Sequence, residues 1–130
     1  MVDGKTLETK GWQLSDYKEL EAWQIAMDLA QEVYRLTRDF PKEEIYGLTN
    51  QIRRAAVSIP SNLAEGAARA GNKEFLHFLH VARGSASELE TQLFLAIKLG
   101  YLRDSVDLLA LLSSTRRLIN GLIRSLKEKP

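Results

Sequence analysis

The apolar residues of segment 46–66 recur at alternating spacings of four and three, which is the pattern of one face of a continuous α-helix. The members of this face are Leu48, Ile52, Ala55, Ile59, Leu63 and Gly66. Pro60 lies within the pattern, where its ring removes one backbone donor and crowds the carbonyl of Ala56. The sequence therefore predicts a helix with a kink at Pro60.

A competing interpretation ends this helix before Pro60 and restarts it with Asn62 as N-cap and Glu65 three residues later, a capping-box spacing. We favour the kinked helix, because the apolar phase does not slip across the proline. Side chains that can then serve the freed backbone carbonyl are Ser58, Ser61 and Asn62.

Three further segments carry helical spacing, and breakers separate them. A first helix is predicted from a cap at Ser15 or Asp16 to Phe40, because the residue before Pro41 avoids the helical region. The second ends near Ala70, a third runs from a cap at Asn72 to Gly100, and a fourth begins at Asp104. Four helices with short connections and no strand pattern predict an all-α fold, an antiparallel up-and-down four-helix bundle spanning residues 15–130. Residues 1–14 are expected to form a flexible N-terminal arm.

The third helix carries more apolar surface than one bundle interior needs. Its first row is Phe75, Leu79, Ala82, Ala86, Leu89, Leu93 and Ala96. A second row is apolar at both ends, where the candidate subunit-contact residues are Phe78, Val81, Leu95 and Leu99. A second buried surface is most simply a contact between subunits, so a homo-oligomer is expected.

Composition excludes several classes of protein. A chain of 130 residues has the length of a single domain. It has no cysteine, so neither a disulfide scaffold nor a thiolate metal site is possible. No apolar run approaches a membrane span, and the N-terminal residues lack the apolar core of a signal peptide, so a cytoplasmic protein is expected. The net charge is +1, but residues 1–44 carry six basic and ten acidic side chains, so the excess of basic charge lies in the second half.

Several strings occur together and in order: LEAWQIA at 20–26, VYRLT at 33–37, QIRRAAVSIPSNLAEG at 51–66, GSASELETQL at 84–93 and LGYL at 99–102. In these strings the chain resembles the four-helix-bundle family first noticed as open reading frames in intervening sequences of bacterial 23S ribosomal RNA genes. The resemblance covers about residues 18–125. It implies a bacterial up-and-down bundle that assembles as a homopentamer, with no assigned enzymatic activity. The accessory variability protein of diversity-generating retroelements is similar in fold, and it is a basic pentamer that binds nucleic acid and a reverse transcriptase.

Basic residues of the second half are candidate contacts for the phosphates of RNA or DNA. They are Arg53, Arg54, Arg116, Arg117, Arg124 and Lys127. Arg53 and Arg54 lie about 100° apart on a helix, so they cannot serve one face equally, and an ion pair with a carboxylate is the alternative. For the last four, the alternative is that cations accumulate near a helix C-terminus, where the helix dipole favours them.

Polar residues on the second and third helices form a candidate buried layer, namely Ser58, Asn62, Glu65, Ser85, Glu88 and Gln92. Such a set sometimes performs acid–base chemistry, but more often it fixes the register between helices. Glu74 and His77 have the spacing of a di-iron motif, with His80 three residues further on. Di-iron bundles need two such helices and two further glutamates, and only one such helix is present, so we expect no metal and no cofactor.

The sequence thus leads to a non-enzymatic, oligomeric interaction module. In the first hypothesis it associates with RNA or DNA through arginines of the second half. In the second it is a purely protein-binding or structural homo-oligomer, and in the third a metal-dependent enzyme. Its expected partners are further copies of itself, nucleic acid or another protein, and no membrane.

Overall fold

The computed structural model describes residues 17–69, 71–103 and 105–128. Across these ranges the chain is all-α, with no strand, as predicted. A helical turn at 17–19 precedes four long helices and one short 3-10 turn, Lys42–Glu44. The long helices are α1 (Glu21–Thr37), α2 (Leu48–Ala67), α3 (Asn72–Lys98) and α4 (Val106–Lys127). The predicted arm at 1–14 and the predicted caps Ser15 and Asp16 lie outside the described residues.

Each long helix packs against two others. α2 lies between α1 and α3, and α4 contacts α3 and returns to α1. The connections are short, since four residues join α2 to α3 and seven join α3 to α4. None of the helices in the described ranges is long and apolar enough to cross a membrane.

The helix α2 runs unbroken through Pro60, so the interpretation with two separate helices is wrong. All six predicted face residues of α2 are buried, because the apolar spacing stays in phase on both sides of the proline. The Asn62 amide donates to the carbonyl of Ser58 at 2.8 Å, not to the Ala56 carbonyl that Pro60 leaves without its usual donor.

Local chemistry at the helix ends differs from two predictions. Asn72 is the first residue of α3, and the N-cap position belongs to Gly71, whose backbone is extended. The cap of α4 is Ser105, whose hydroxyl accepts from the Leu108 N–H at 3.1 Å, whereas Asp104 lies outside the described residues. Gly100 ends α3 as predicted, because its φ of 81° lets Tyr101 N–H bond the Ala96 carbonyl in a Schellman motif.

One core joins the inner faces of all four helices. Its largest fully buried side chains are Leu29, Ile52, Ile59, Leu63, Leu79, Leu89, Leu93, Leu108, Leu112, Ile119, Val33 and Thr115. Ile123 of α4 is also buried. Gly66 marks the closest approach of α2 to α3, since a Cβ there would lie 2.8 Å from the Phe78 Cβ. At Gly121 of α4, by contrast, an added Cβ would meet only the end of the Arg124 side chain, 3.9 Å away.

Candidate binding surfaces

A pocket of about 590 Å³ lies beside the first turns of α2, and both arginines of the pair line it. Arg53 is held in place, because its Nε donates to the Thr37 hydroxyl at 2.9 Å and its guanidinium lies 4.6 Å from the centre of the Tyr34 ring. Arg54 is exposed and has no hydrogen-bond or ion-pair partner among the described residues. Neither guanidinium forms an ion pair with a carboxylate of the described chain, which was the alternative to phosphate contact, and only Arg53 is held by neighbouring side chains.

The basic side chains of α4 fall into two groups. Arg116 pairs with Glu90 of α3 through both terminal nitrogens, at 3.2 and 3.4 Å, so it joins two helices. Arg117 donates to the neighbouring Ser114 hydroxyl at 3.2 Å. Arg117 and Arg124 both line a surface depression between α4 and the start of α1. Lys127 is exposed at the end of the helix. Arg117, Arg124 and Lys127 therefore remain on the surface.

The polar layer forms only in part. The hydroxyls of Ser58 and Ser85 lie 2.9 Å apart across α2 and α3, and the Asn62 amide donates to Ser58 Oγ at 3.0 Å. The hydrogen bonds among these three side chains fix the register in which α2 packs against α3. Gln92 is buried on the same side of α3, and its Oε1 has no partner within the described residues.

Of the two acids proposed for this layer, Glu65 lies outside it, whereas Glu88 lies at its exposed edge and accepts from Gln92 Nε2 at 3.4 Å. Glu65 is exposed and pairs with Arg69 one turn further along α2. Glu88 is exposed at the mouth of a depression that Arg54 and Ser58 also line. The six residues therefore do not form a closed carboxylate and hydroxyl cluster, because α2 and α3 present Glu65 and Glu88 towards solvent.

Two unlike apolar surfaces lie on the single chain. The first is a ridge on α3, where Val81, Leu95 and Leu99 are 39, 46 and 49% exposed. Glu88 stands seven residues from both Val81 and Leu95, in the middle of this α3 ridge. Phe78 differs from the other predicted contact residues, because it is half-buried against Gly66 and beneath the Arg69 guanidinium.

The second apolar surface is a groove of about 420 Å³ between α1 and α2, hereafter the α1–α2 groove. Its walls are Trp23, Met27, Tyr34 and Val57, and Tyr17 meets Trp23 edge-on at 5.4 Å. The floor consists of small or compact residues, including Ala30, Pro60 and Ala64. The groove therefore joins wide aromatic walls to a shallow floor, which is a shape that accepts side chains from another helix. Trp12 lies outside the described residues.

The α3 residues with di-iron spacing do not converge. His77 stacks edge-on with Phe78, and His80 Nδ1 lies 3.0 Å from Arg83, which also donates to Asn120. Burial and the nearby charge of Arg83 hold the pKa of His80 below its ordinary value, because both disfavour the charged ring. Within residues 17–69, 71–103 and 105–128, no three His, Asp or Glu side chains are grouped as metal ligands.

Sequence reasoning missed the residues that complete the pocket and the groove. Tyr46 is 93% exposed and Thr49 is 2% exposed, and both line the pocket beside Arg53 and Arg54. Tyr46 precedes α2 in a turn, so helical periodicity could not place it. Met27 and Tyr34 stand seven residues apart on α1, and this helical spacing is the sequence signal that could have indicated the groove.

Comparison with known proteins gives one match. The family model described as 23S rRNA-intervening sequence protein matches residues 18–121, which is most of the chain and all of α1, α2 and α3. No curated protein matches the chain.

Proposed function

The chain belongs to the family of 23S rRNA-intervening sequence proteins, and on that premise we propose that it is a non-enzymatic, homo-oligomeric interaction module of the bacterial cytoplasm. The observation that carries the proposal is the pair of unlike apolar surfaces, the α3 ridge and the α1–α2 groove. Each large apolar side chain that stays half-exposed loses roughly 1 kcal/mol of the stabilisation that full burial would give. A contact between copies of the chain would recover that free energy.

The building block of the proposed assembly is an antiparallel, up-and-down four-helix bundle. The cyclic order of contacts, from α1 to α2, α3, α4 and back to α1, supports this arrangement. Connections of four and seven residues leave too little chain for a crossover between parallel neighbours. We also propose that Pro60 bends α2, because its ring cannot avoid the carbonyl of Ala56 in a straight helix.

The assembly we propose is a ring in which the α3 ridge of one subunit enters the α1–α2 groove of the next. Contacts between two different patches are heterologous, and they form a closed ring when the rotation between subunits closes. The resemblance of the chain to its family favours five subunits.

Light scattering in moderate salt tests the assembly. We expect a particle of five times the 14.7 kDa chain. Leu95→Glu should reduce the mass to that of smaller species, because it places a second charge in the ridge, at one of its apolar contact residues. Val106→Glu is the matched control, since Val106 is 79% exposed at the start of α4 and belongs to neither surface. A clean monomer at micromolar concentration would refute the proposal, whereas a dimer would refute only the ring of five.

Nucleic acid is the second candidate partner, and the observation that favours it is the uncovered basic end of α4. Arg117, Arg124 and Lys127 have no carboxylate partner in the described part of the chain, so they can meet phosphates. We expect binding to generic RNA that weakens steeply with salt, and a smaller salt slope after Arg117→Gln with Arg124→Gln. Unchanged slopes would leave a structural or protein-binding homo-oligomer as the function.

A further inference from the structure

The pocket beside α2 combines two guanidinium groups with no carboxylate in its lining. Arg53 is held by the Thr37 hydroxyl and the Tyr34 ring, and its two terminal nitrogens have no hydrogen-bond partner among the described residues. Arg54 reaches the same pocket from the next position on the helix. An arginine that is already ordered loses less conformational entropy when it binds an anion. Arg53 is therefore suited to bidentate recognition of a phosphate, in which two N–H groups donate to two phosphate oxygens.

A buried hydroxyl lies at the same place without a partner. Thr49 is 2% exposed, and its Oγ1 has no hydrogen bond within the described residues. A buried hydroxyl without a partner is unfavourable, and Thr49 belongs to the lining of the pocket, so an anion bound there would offer this hydroxyl an acceptor. Thr49 also stands in the first turn of α2, which contains no acidic residue and lies at the positive end of the helix dipole.

The acid that precedes α2 is committed elsewhere. The Glu44 carboxylate accepts from the Leu48 N–H at 3.1 Å and from the Tyr101 hydroxyl at 3.0 Å. It therefore satisfies one donor at the helix start and does not line the pocket. The pocket keeps an excess of positive charge.

An exposed aromatic ring completes the site. Tyr46 is 93% exposed at the edge of the pocket, while the face of Tyr34 is already covered by Arg53. A free phenol ring beside two arginines offers a stacking surface for a planar ring attached to a phosphate. We infer that this pocket binds a nucleotide unit, with Arg53, Arg54 and Thr49 on the phosphate and Tyr46 on the base.

The nucleotide unit can be a free mononucleotide or part of a single strand, and calorimetric titration distinguishes the two. The probes are 5′-AMP, adenosine, inorganic phosphate and a five-nucleotide single-stranded RNA. We expect 5′-AMP to bind at least about tenfold more tightly than adenosine or phosphate, because each of these lacks half of the contacts. RNA binding well above that of 5′-AMP identifies a strand as the source, and equal binding identifies the mononucleotide.

Arg54→Gln should weaken 5′-AMP binding by roughly tenfold, since a charge-assisted hydrogen bond is lost. Lys73→Gln removes the same charge from the start of α3, outside the pocket, and should leave 5′-AMP binding unchanged. Tyr46→Ala should weaken 5′-AMP but not inorganic phosphate. Circular dichroism confirms that each variant is folded, which is expected because Arg54 and Tyr46 are exposed.

Two outcomes would overturn the inference. The first is the absence of 5′-AMP binding at millimolar concentration, and the second is an equal loss in the Arg54 and Lys73 variants. The site does not depend on the proposed ring, although it shares Tyr34 and Val57 with the α1–α2 groove. Light scattering on the same samples reports assembly separately, so failure of the site and failure of the ring are distinguishable.

Discussion

At the scale of single residues, Gly66 controls how closely α2 and α3 approach. A Cβ built there would lie 2.8 Å from the Phe78 Cβ and 2.9 Å from Phe75 Cδ1. Gly66→Ala should therefore lower the free energy of unfolding by about 1–2 kcal/mol, because the overpacking outweighs the gain in helix propensity. Urea denaturation followed by circular dichroism measures this change.

Gly121→Ala is the matched control, and the expected sign is opposite. Gly121 lies inside α4, and the nearest atom to an added Cβ is the flexible end of Arg124 at 3.9 Å. The free energy of unfolding should rise by about 0.5–1 kcal/mol, since alanine favours the helix and restricts the unfolded chain. If Gly66→Ala and Gly121→Ala changed the free energy of unfolding in the same direction, close packing at Gly66 would not be what determines the stability of the Gly66 variant.

At the scale of the element, Pro60 combines a cost and a benefit. Proline inside a helix removes one hydrogen bond and costs about 3 kcal/mol, yet its ring is buried on the floor of the α1–α2 groove. In Pro60→Ala the Ala56 carbonyl regains its donor while part of the apolar contact is lost. We expect a net rise of about 1 kcal/mol in the free energy of unfolding, together with an unchanged particle mass.

The outcome that would contradict this is a Pro60→Ala protein of smaller particle mass. It would show that the bend at Pro60 shapes the groove for a neighbouring subunit. Ser61→Ala serves as the control, because Ser61 lines the groove beside the proline and keeps the backbone unchanged.

At the scale of the whole molecule, α2 is the helix on which the surfaces meet. It forms one wall of the α1–α2 groove, contacts α3 through Ser58 and Ser85, and carries Arg53 and Arg54 on the intervening face. The proposed ring has a thermodynamic consequence here, since association that stabilises only the folded state makes the melting temperature depend on protein concentration. We expect that dependence in the unmodified protein and its loss in Leu95→Glu, as differential scanning calorimetry would show.

The sequence alone predicted the all-α class, the buried face of α2 and the unbroken course of that helix through Pro60. These features depend on residue spacing, and the spacing of apolar residues reports which side of a helix is buried without reference to its neighbours. Gly100 was also predictable, because its left-handed backbone is a local property of the helix end. The family could likewise be identified from the strings in their order, and the match over residues 18–121 confirms it.

Only the tertiary structure decided which polar residues act together. Ser58 meets Ser85 because α2 and α3 pack in one register, and the same register leaves Glu88 exposed. Arg116 meets Glu90 across two helices, while Arg54 on α2 remains without a partner in the described chain. The pocket joins Tyr34 of α1 to a turn and to the start of α2. The physical reason is that spacing along one helix assigns a residue to a face, whereas a binding site depends on which faces of different helices are brought together.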